Sequence, residues 1–403
     1  MVNTEHQDTQ CRHAPTAFSR RPHPSGAEVA DSGRRVRKNV VFVTWTGNGN
    51  FGTMLQACAL GKALSAQGYK ASLLAGIQVD GSIRSRFKAV LERCGLLQPL
   101  VSMLPGKRLS PGSRKFAAFR DRFLKVIRVR TSGQLEALLK HTDVFLTGSD
   151  QVWNAAHDFN PFYFLDFAGQ AKRVSYAPSL GTRMIPARHA EEVRNLLERY
   201  AHISVRERSG RDALAALTGR RDIVTVMDPV FLLGEREWLD SLTGISPDVP
   251  KPYILCYLVG SRPGYCEFLR SVRARTGITQ MLAIPSVESG RIHGLEADYV
   301  TDAGPSDFIR LIQGAAIVCT DSFHAVAMSM IFRKNFVVLK RFADEDPSSQ
   351  NSRLADLLDQ FGLQDRWGDA GRWENPVDFS QLTEKIREAR EASLSYLVRA
   401  IEQ

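Results

Sequence analysis

From Asn39 onward, short apolar runs alternate with stretches whose apolar residues return at three- and four-residue spacing. The first run, V-V-F-V-T-W, reads as a buried strand. A loop T-G-N-G-N-F-G follows, and then a segment in which Met54, Leu55, Cys58 and Leu64 recur at helical spacing. Strand, Gly/Asn-rich loop and helix in that order are the opening unit of a Rossmann-like sheet. A-S-L-L-A comes next, and further on D-V-F-L-T-G-S-D, R-V-S-Y-A-P-S-L-G, H-I-S-V-R-E and D-I-V-T-V-M-D-P. Helical spacing separates some of these runs, most clearly from Ala187 to Tyr200 with Val193, Leu196 and Leu197. Such alternation predicts a mostly parallel sheet covered on both faces.

A Pro-bearing link at Ser246 to Pro252 interrupts the pattern, and a second alternation follows. It runs Y-I-L-C-Y-L-V, helix, I-T-Q-M-L-A-I-P, helix, A-I-V-C-T-D, the helix S-F-H-A-V-A-M-S-M-I, and N-F-V-V-L-K. A chain of 403 residues is too long for one ordinary core and suits two. The expected fold is α/β, with two Rossmann-like domains facing across a cleft. Residues 39–245 and 252–375 form the two domains. An amphipathic helix within 376–403 packs back on the first. Residues 1–38, polar and rich in Arg, Pro, Ser and His, read as a disordered leader or an overlong start assignment.

Charge is uneven along the chain. Residues 81–130 hold 13 Lys or Arg against two acids, an excess of +11, whereas the whole chain carries +10. This basic segment, expected to be helical around Phe116, Phe119 and Phe123, is either a solvated surface or a face for an anionic partner. An anionic substrate, a lipid-linked phosphate and a membrane surface all fit that description. A nucleic acid does not, because no recognisable binding motif accompanies the charge. The six cysteines show no C-x-x-C pair, so neither a cysteine metal site nor a disulfide framework is expected. No apolar run approaches the roughly 20 residues that span a bilayer. The expected location is the cytoplasm, with peripheral attachment to the inner membrane face open through the basic segment.

Ligands of open α/β sheets gather at the carboxyl ends of strands, so the turns after the apolar runs are where chemistry is sought. T-D-S-F-H-A-V is the sharpest. Asp321 or Ser322 can cap the next helix and set His324 in its first turn, where free N–H groups attract a phosphate or carboxylate. A histidine there can bind an anion or give up a proton; it can equally pack or cap. Arg206 directly follows a strand and suits bidentate recognition of an anion, with a buried salt bridge to Glu207 or another acid as the competing account. Lys340 ends the run N-F-V-V-L-K. Together His324, Arg206 and Lys340 would make a cationic pocket for a small anion. Asn50, Gly52 and Gln56 belong to a loop and helix start able to cradle an anion. Ser149, Asp150, Trp153 and Ser179 follow the middle strands. There an Asp and a Trp suit hydroxyl bonding and ring stacking with a sugar, or simply a cap and a packed ring.

Seven motifs occur in a fixed order: N-F-G-T-M-L-Q-A-C-A-L, T-G-S-D-Q-V-W-N, V-S-Y-A-P-S-L-G, S-V-R-E-R-S-G, M-D-P-V-F-L-L, T-D-S-F-H-A-V and N-S-R-L-A-D-L-L-D-Q-F-G-L. As a series, from about Asn39 to about Trp367, they resemble the polysaccharide pyruvyl transferase family. That resemblance implies two Rossmann-like domains of the GT-B kind and transfer of a pyruvyl group from phosphoenolpyruvate to sugar hydroxyls as a ketal. By the matching motifs, His324 takes the family's acid position and Arg206 its anion-binding arginine, with Asp321 and Ser322 beside them on the donor side; Lys340 matches a looser motif. The partners implied are phosphoenolpyruvate and a sugar, oligosaccharide or lipid-linked glycan, with no cofactor and no metal. Two positions depart from the family: Ala325 stands where Gly usually follows the histidine, and Glu207 where Asp commonly follows the arginine. Two rival readings stand beside this one. They are a GT-B-like glycosyltransferase using a nucleotide-sugar donor, and a non-catalytic binder of an anionic glycan.

Overall fold

The computed structural model describes residues 38–47, 49–79, 111–245, 247–346, 349–370 and 372–403. The leader 1–38 therefore lies outside the described residues except for Lys38, as do residues 81–110 of the basic segment.

The first alternation builds a parallel sheet from β1 (Asn39–Val43), β2 (Lys70–Ile77), β3 (Val126–Val129), β4 (Val144–Thr147) and β5 (Lys172–Ser175). Its order is β3-β2-β1-β4-β5, with the chain reversing direction across the sheet at β1 and β4. Two short parallel strands, β6 (Ser204–Val205) and β7 (Val224–Thr225), continue from its edge. Ser175 and Ser204 stitch β5 to β6: each hydroxyl donates to the other residue's carbonyl at 2.8 Å. The basic segment is not helical throughout. Pro111–Phe123 is a helix, but V-I-R-V is edge strand β3, in which Val129 is buried and Arg128 points to water. Alternation of this kind suits a sheet edge.

The second alternation repeats the plan. β8 (Tyr253–Tyr257), β9 (Gln280–Ala283), β10 (Asp298–Tyr299), β11 (Ile317–Thr320) and β12 (Asn335–Val338) form a parallel sheet of order β10-β9-β8-β11-β12. These two Rossmann-like sheets are the α/β architecture expected.

One helix ties the sheets together. α1 (Phe51–Ala66) has 13 buried residues of 16, so it is apolar on every side, as a helix enclosed by protein must be. It packs on β2, on α2 (Pro111–Phe123) and on the Pro229–Leu232 turn of the first half. On its other side it meets α8 (Pro305–Gly314) and α9 (Phe323–Ile331) of the second. Phe51 stacks on Phe308 with centroids 4.5 Å apart and meets Phe116 at 5.0 Å and Tyr257 at 5.6 Å. The main hydrophobic core therefore runs unbroken through both halves. A cleft of about 1180 Å³ remains on one side, lined by Asn154, His157 and Arg183 from the first half and by Lys340, Phe342 and Gln350 from the second.

The last helix, α11 (Phe379–Glu402), packs on the first half. The Tyr396 hydroxyl donates to the Ser175 carbonyl at 3.1 Å, and the Met227 N–H donates to Ser393 Oγ at 3.0 Å. Lys38 and Lys172 both donate to the Ile401 carbonyl near its C-terminus, where cations are favourable. Among the described residues, no helix is long and apolar enough to cross a membrane.

Candidate active site

The ends of β4, β5, β6 and β7, the start of α1 and the start of α9 meet at one buried point, and its centre is Asp228. This residue follows β7 and caps the Pro229–Leu232 turn, with Oδ1 accepting the Val230 N–H at 3.0 Å. Oδ2 accepts from Arg206 Nη1 at 2.8 Å and from the Ser149 hydroxyl at 3.0 Å, and it lies 3.4 Å from His324 Nε2. Burial alone would raise the Asp228 carboxyl. The His324 ring, the Arg206 guanidinium and the Val230 N–H more than offset this and hold it well below the usual carboxylate range.

Arg206 is buried and lies between two acids. Nε donates to Glu207 Oε1 at 3.1 Å, and the guanidinium stacks 4.2 Å from the centroid of Phe323. Burial opposes its charge, but Glu207, Asp228 and Asp150 hold it above its ordinary value. The salt-bridge account of Arg206 thus describes its resting partners, while one donor, Nη2, is left without any. Glu207 in turn accepts the Ser179 hydroxyl, and Ser179 Oγ accepts the Gly181 N–H at 3.1 Å.

His324 sits in the first turn of α9, and Ser322 is the N-cap, its hydroxyl accepting the Ala325 N–H at 3.5 Å. The ring is wedged against the start of α1, since a β-carbon at Gly52 would collide with it. The Asn50 side chain caps α1 by accepting the Thr53 N–H at 3.1 Å. Asp150 is held in the left-handed region (φ 71), a conformation that costs a bulky residue about 1–3 kcal/mol. There its Oδ2 accepts the Thr53 hydroxyl at 2.6 Å. Gln56 Nε2 donates to Thr44 Oγ1 at 3.0 Å, and Thr44 donates to the Ser149 carbonyl at 2.7 Å. Gly52, Gln56, Ser149, Asp150, Ser179, Arg206 and His324 therefore belong to one connected assembly.

Three expected residues take other places. Trp153 does not offer a face to a sugar: it is 2% exposed, stacked on Phe164 at 5.2 Å, with Nε1 donating to the Tyr163 carbonyl. The sheet side of that turn is core, and a large ring is the residue that fills it. Lys340 does not complete a cationic pocket with Arg206 and His324. It lies two residues beyond β12, and its ammonium pairs with Asp344 at 2.8 Å and Asp369 at 2.9 Å. Asp321 accepts the Val259 and Gly260 N–H groups at 2.7 and 2.8 Å and the Tyr265 hydroxyl at 2.9 Å, so its carboxylate joins the ends of β8 and β11.

From sequence, Asp228 is one of the strand-end positions where chemistry is sought, though without a stated role, while Thr53 and Arg353 are not singled out. All three lay in quoted motifs, and Asp228 carried a usable signal: an acid just before proline at the end of an apolar run. Arg353 begins α10 (Ser352–Phe361), and its Nη2 donates to Gln350 Oε1 at 2.8 Å. In its better-satisfied orientation the Gln151 amide donates to Gln350 Oε1 across the two halves at 3.2 Å, and its oxygen accepts from Arg353 Nη1 at 3.1 Å. Gln350 also lines the large cleft. Among the described residues, no group of three or more His, Cys, Asp or Glu is placed to hold a metal ion.

The family model for polysaccharide pyruvyl transferase matches residues 50–341, which include Arg206, Asp228 and His324, while Thr44, Gln350 and Arg353 lie outside it. The chain belongs to the polysaccharide pyruvyl transferase family. As a member it is a transferase of the kind that acts on glycans. A search of curated proteins finds no match. Among solved structures, UDP-GlcNAc 2-epimerase from Neisseria meningitidis bound to UDP-GlcNAc is similar at 10% identity and TM-score 0.42, over 88% of this chain and 100% of that one. UDP-GlcNAc 2-epimerase from Methanocaldococcus jannaschii gives 11% and 0.42, over 87% and 99%. A glycosyltransferase from Streptomyces nogalater gives 13% and 0.37, over 90% and 99%. Of the two departures from the family pattern, Ala325 is fully buried in the shared core and Glu207 keeps its carboxylate on Arg206.

Proposed function

We propose that this chain transfers a pyruvyl group from phosphoenolpyruvate to two hydroxyls of a sugar, forming a cyclic ketal on an exopolysaccharide or other cell-surface glycan. The observation that carries this reading is the buried juxtaposition of His324 and Arg206 on Asp228, in a chain of the pyruvyl transferase family. In this scheme the donor's anionic groups are met by Arg206 and by the N–H groups opening α9. Asp228 Oδ2 lies 3.4 Å from Nε2, the ring nitrogen that is not pressed against Gly52, and keeps the imidazole in place by its charge. His324 gives a proton to the methylene carbon of the enol, and the central carbon becomes electrophilic. A sugar hydroxyl adds there and releases its proton. The carbon–oxygen bond to phosphate then breaks, phosphate leaves, and the second hydroxyl closes the ketal with loss of a second proton. One proton enters and two leave, which matches the formation of inorganic phosphate.

A nucleotide-sugar donor is less well supported. In a Rossmann-like half of this order, a diphosphate would seek the crevice between β8 and β11. The N–H groups of Val259 and Gly260 at that crevice are already bound to Asp321. Because phosphoenolpyruvate is a cytoplasmic metabolite, the proposed site of action is the cytoplasm, with the glycan acceptor free or lipid-linked.

The test is to incubate the full chain with phosphoenolpyruvate and a glycan panel and to measure phosphate and ketal-modified sugar. General acid catalysis is worth about 10²–10⁴-fold, so His324→Ala should lose turnover by that order. Near-normal turnover in that variant would remove His324 from the mechanism, and release of a nucleoside diphosphate from a nucleotide sugar, with no phosphate released from phosphoenolpyruvate, would remove the reading.

A further inference from the structure

Eight buried side-chain nitrogen or oxygen atoms lack a hydrogen-bond partner among the described residues, and four belong to one place: Arg206 Nη2, Glu207 Oε2, His324 Nε2 and Arg353 Nε. Buried polar groups are paired nearly everywhere in folded proteins, and leaving one unpaired costs about 1–3 kcal/mol. Four such atoms together, three of them nitrogens, describe a site made to receive a ligand. The carboxylates nearby do not account for it. Arg206 already holds both of its acids and still has a free donor, while Arg353 touches only carboxamides.

A second cavity explains where that ligand comes from. About 470 Å³ in volume, it lies among α5 (Arg208–Thr218), α10 and α11 and shares no lining residue with the large cleft. Arg206, Asp228, Phe323 and Arg353 belong to its wall, as do Arg208, Arg211 and Arg399 and the acids Glu207, Asp356 and Asp359. Two guanidiniums share that wall, and burial together with the charge of Arg206 pushes Arg353 down to about 10. An anion placed between like charges relieves such a conflict. The arginine fork is also the side chain best matched to a phosphoryl group.

We propose that Arg206 and Arg353 together hold the phosphoryl group of the donor, which enters and leaves through this smaller cavity while the glycan uses the large cleft. Arg353 thus takes the place that Lys340 was expected to fill. The assignment of the ligand as a donor rests on the pyruvyl-transfer reading, whereas the phosphate site stands on the arginines alone.

Calorimetric titration of the full chain at low salt, with inorganic phosphate and separately with phosphoenolpyruvate, tests both parts. Arg353→Gln should weaken both anions at least tenfold, and Ala392→Trp, which crowds the smaller cavity from α11, should weaken them as well. Arg387→Gln, an exposed change on the same helix, should leave both affinities as they are. If Arg353→Gln melts early, protection of Arg353 in the wild-type chain from phenylglyoxal by phosphate, read by mass spectrometry, replaces it. Wild-type affinity in Arg353→Gln, or no protection, overturns the inference and leaves the pyruvyl-transfer reading intact. Arg353-dependent binding of phosphate without binding of phosphoenolpyruvate does the reverse. Unchanged affinity in Ala392→Trp overturns the entry route, and binding of neither anion by the wild type overturns inference and reading together.

Discussion

The β-carbon of His324 would lie 2.9 Å from a β-carbon placed on Gly52, and the imidazole would be closer still. Only a glycine lets the first turn of α1 approach the ring in this way. The contact joins the two halves at the point of proposed chemistry, because α1 belongs to the first sheet and α9 to the second. It also closes one face of the ring, leaving Nε2 toward Asp228.

Gly52→Ala therefore displaces the ring or the helix start. Overpacking of a buried contact costs about 1–3 kcal/mol, and the expected result is a folded protein with a lowered melting temperature. Its phosphate release from phosphoenolpyruvate should fall by more than tenfold, since a catalytic group moved by an ångström loses that much or more. Wild-type turnover in Gly52→Ala would show that the ring position does not matter.

Lys340 separates the site expected from sequence from the one found. Its ammonium is held by Asp344 and Asp369 in partly exposed pairs, which raise it from its ordinary value. Pairs of this kind are worth about 0–1 kcal/mol. Lys340→Met should bind phosphoenolpyruvate with wild-type affinity in the same calorimetric titration and unfold within about 1 kcal/mol of wild type. A tenfold loss of donor affinity would return Lys340 to the donor site.

The difference between Lys340 and Arg206 shows how far the sequence could be read. Strand runs and the turns that end them are local patterns, so the two parallel sheets, the helix before which Ser322 stands and the positions of Gly52, Ser149, Asp150, Ser179, Arg206 and His324 were all legible. Side-chain direction past a strand end is not local. Lys340 and Trp153 follow strands as Arg206 does, yet one turns to surface acids and the other into the core. Arg353 was invisible for another reason: it enters from α10, an element far along the chain, and only packing brings it to Arg206. The continuity of the core through α1 was hidden as well. A helix apolar on all sides shows no amphipathic period to say which two surfaces it joins.

Trp153 tests the same distinction from the side of stability. Its ring lies between Phe164 and the edge of Tyr200, 5.6 Å away, and its Nε1 proton is already donated. Trp153→Ala should cost about 3–5 kcal/mol of stability, as removal of a buried aromatic does, measured by urea unfolding. Trp153→Phe should keep most of the packing and wild-type turnover at temperatures where it is folded. A folded Trp153→Phe that had lost glycan binding would restore the sugar-stacking role.

Asp228 gives a prediction with a definite pH window. Its carboxyl is depressed in the folded protein, so its contribution to stability is fully present above the unfolded value of about 3.9 and is lost as pH falls from there toward the folded value. Asp228→Asn keeps the shape but removes the charge that Arg206 and His324 face. Breaking one side of a buried ion pair costs about 3–5 kcal/mol, and that deficit should appear in urea unfolding at pH 7 and persist to about pH 5. Between pH 4 and pH 3 the wild type should lose stability faster than the variant, so the gap narrows. A variant as stable as wild type at neutral pH would mean that Glu207 alone balances Arg206, and Asp228 would then be free to act on His324 without holding the fold together.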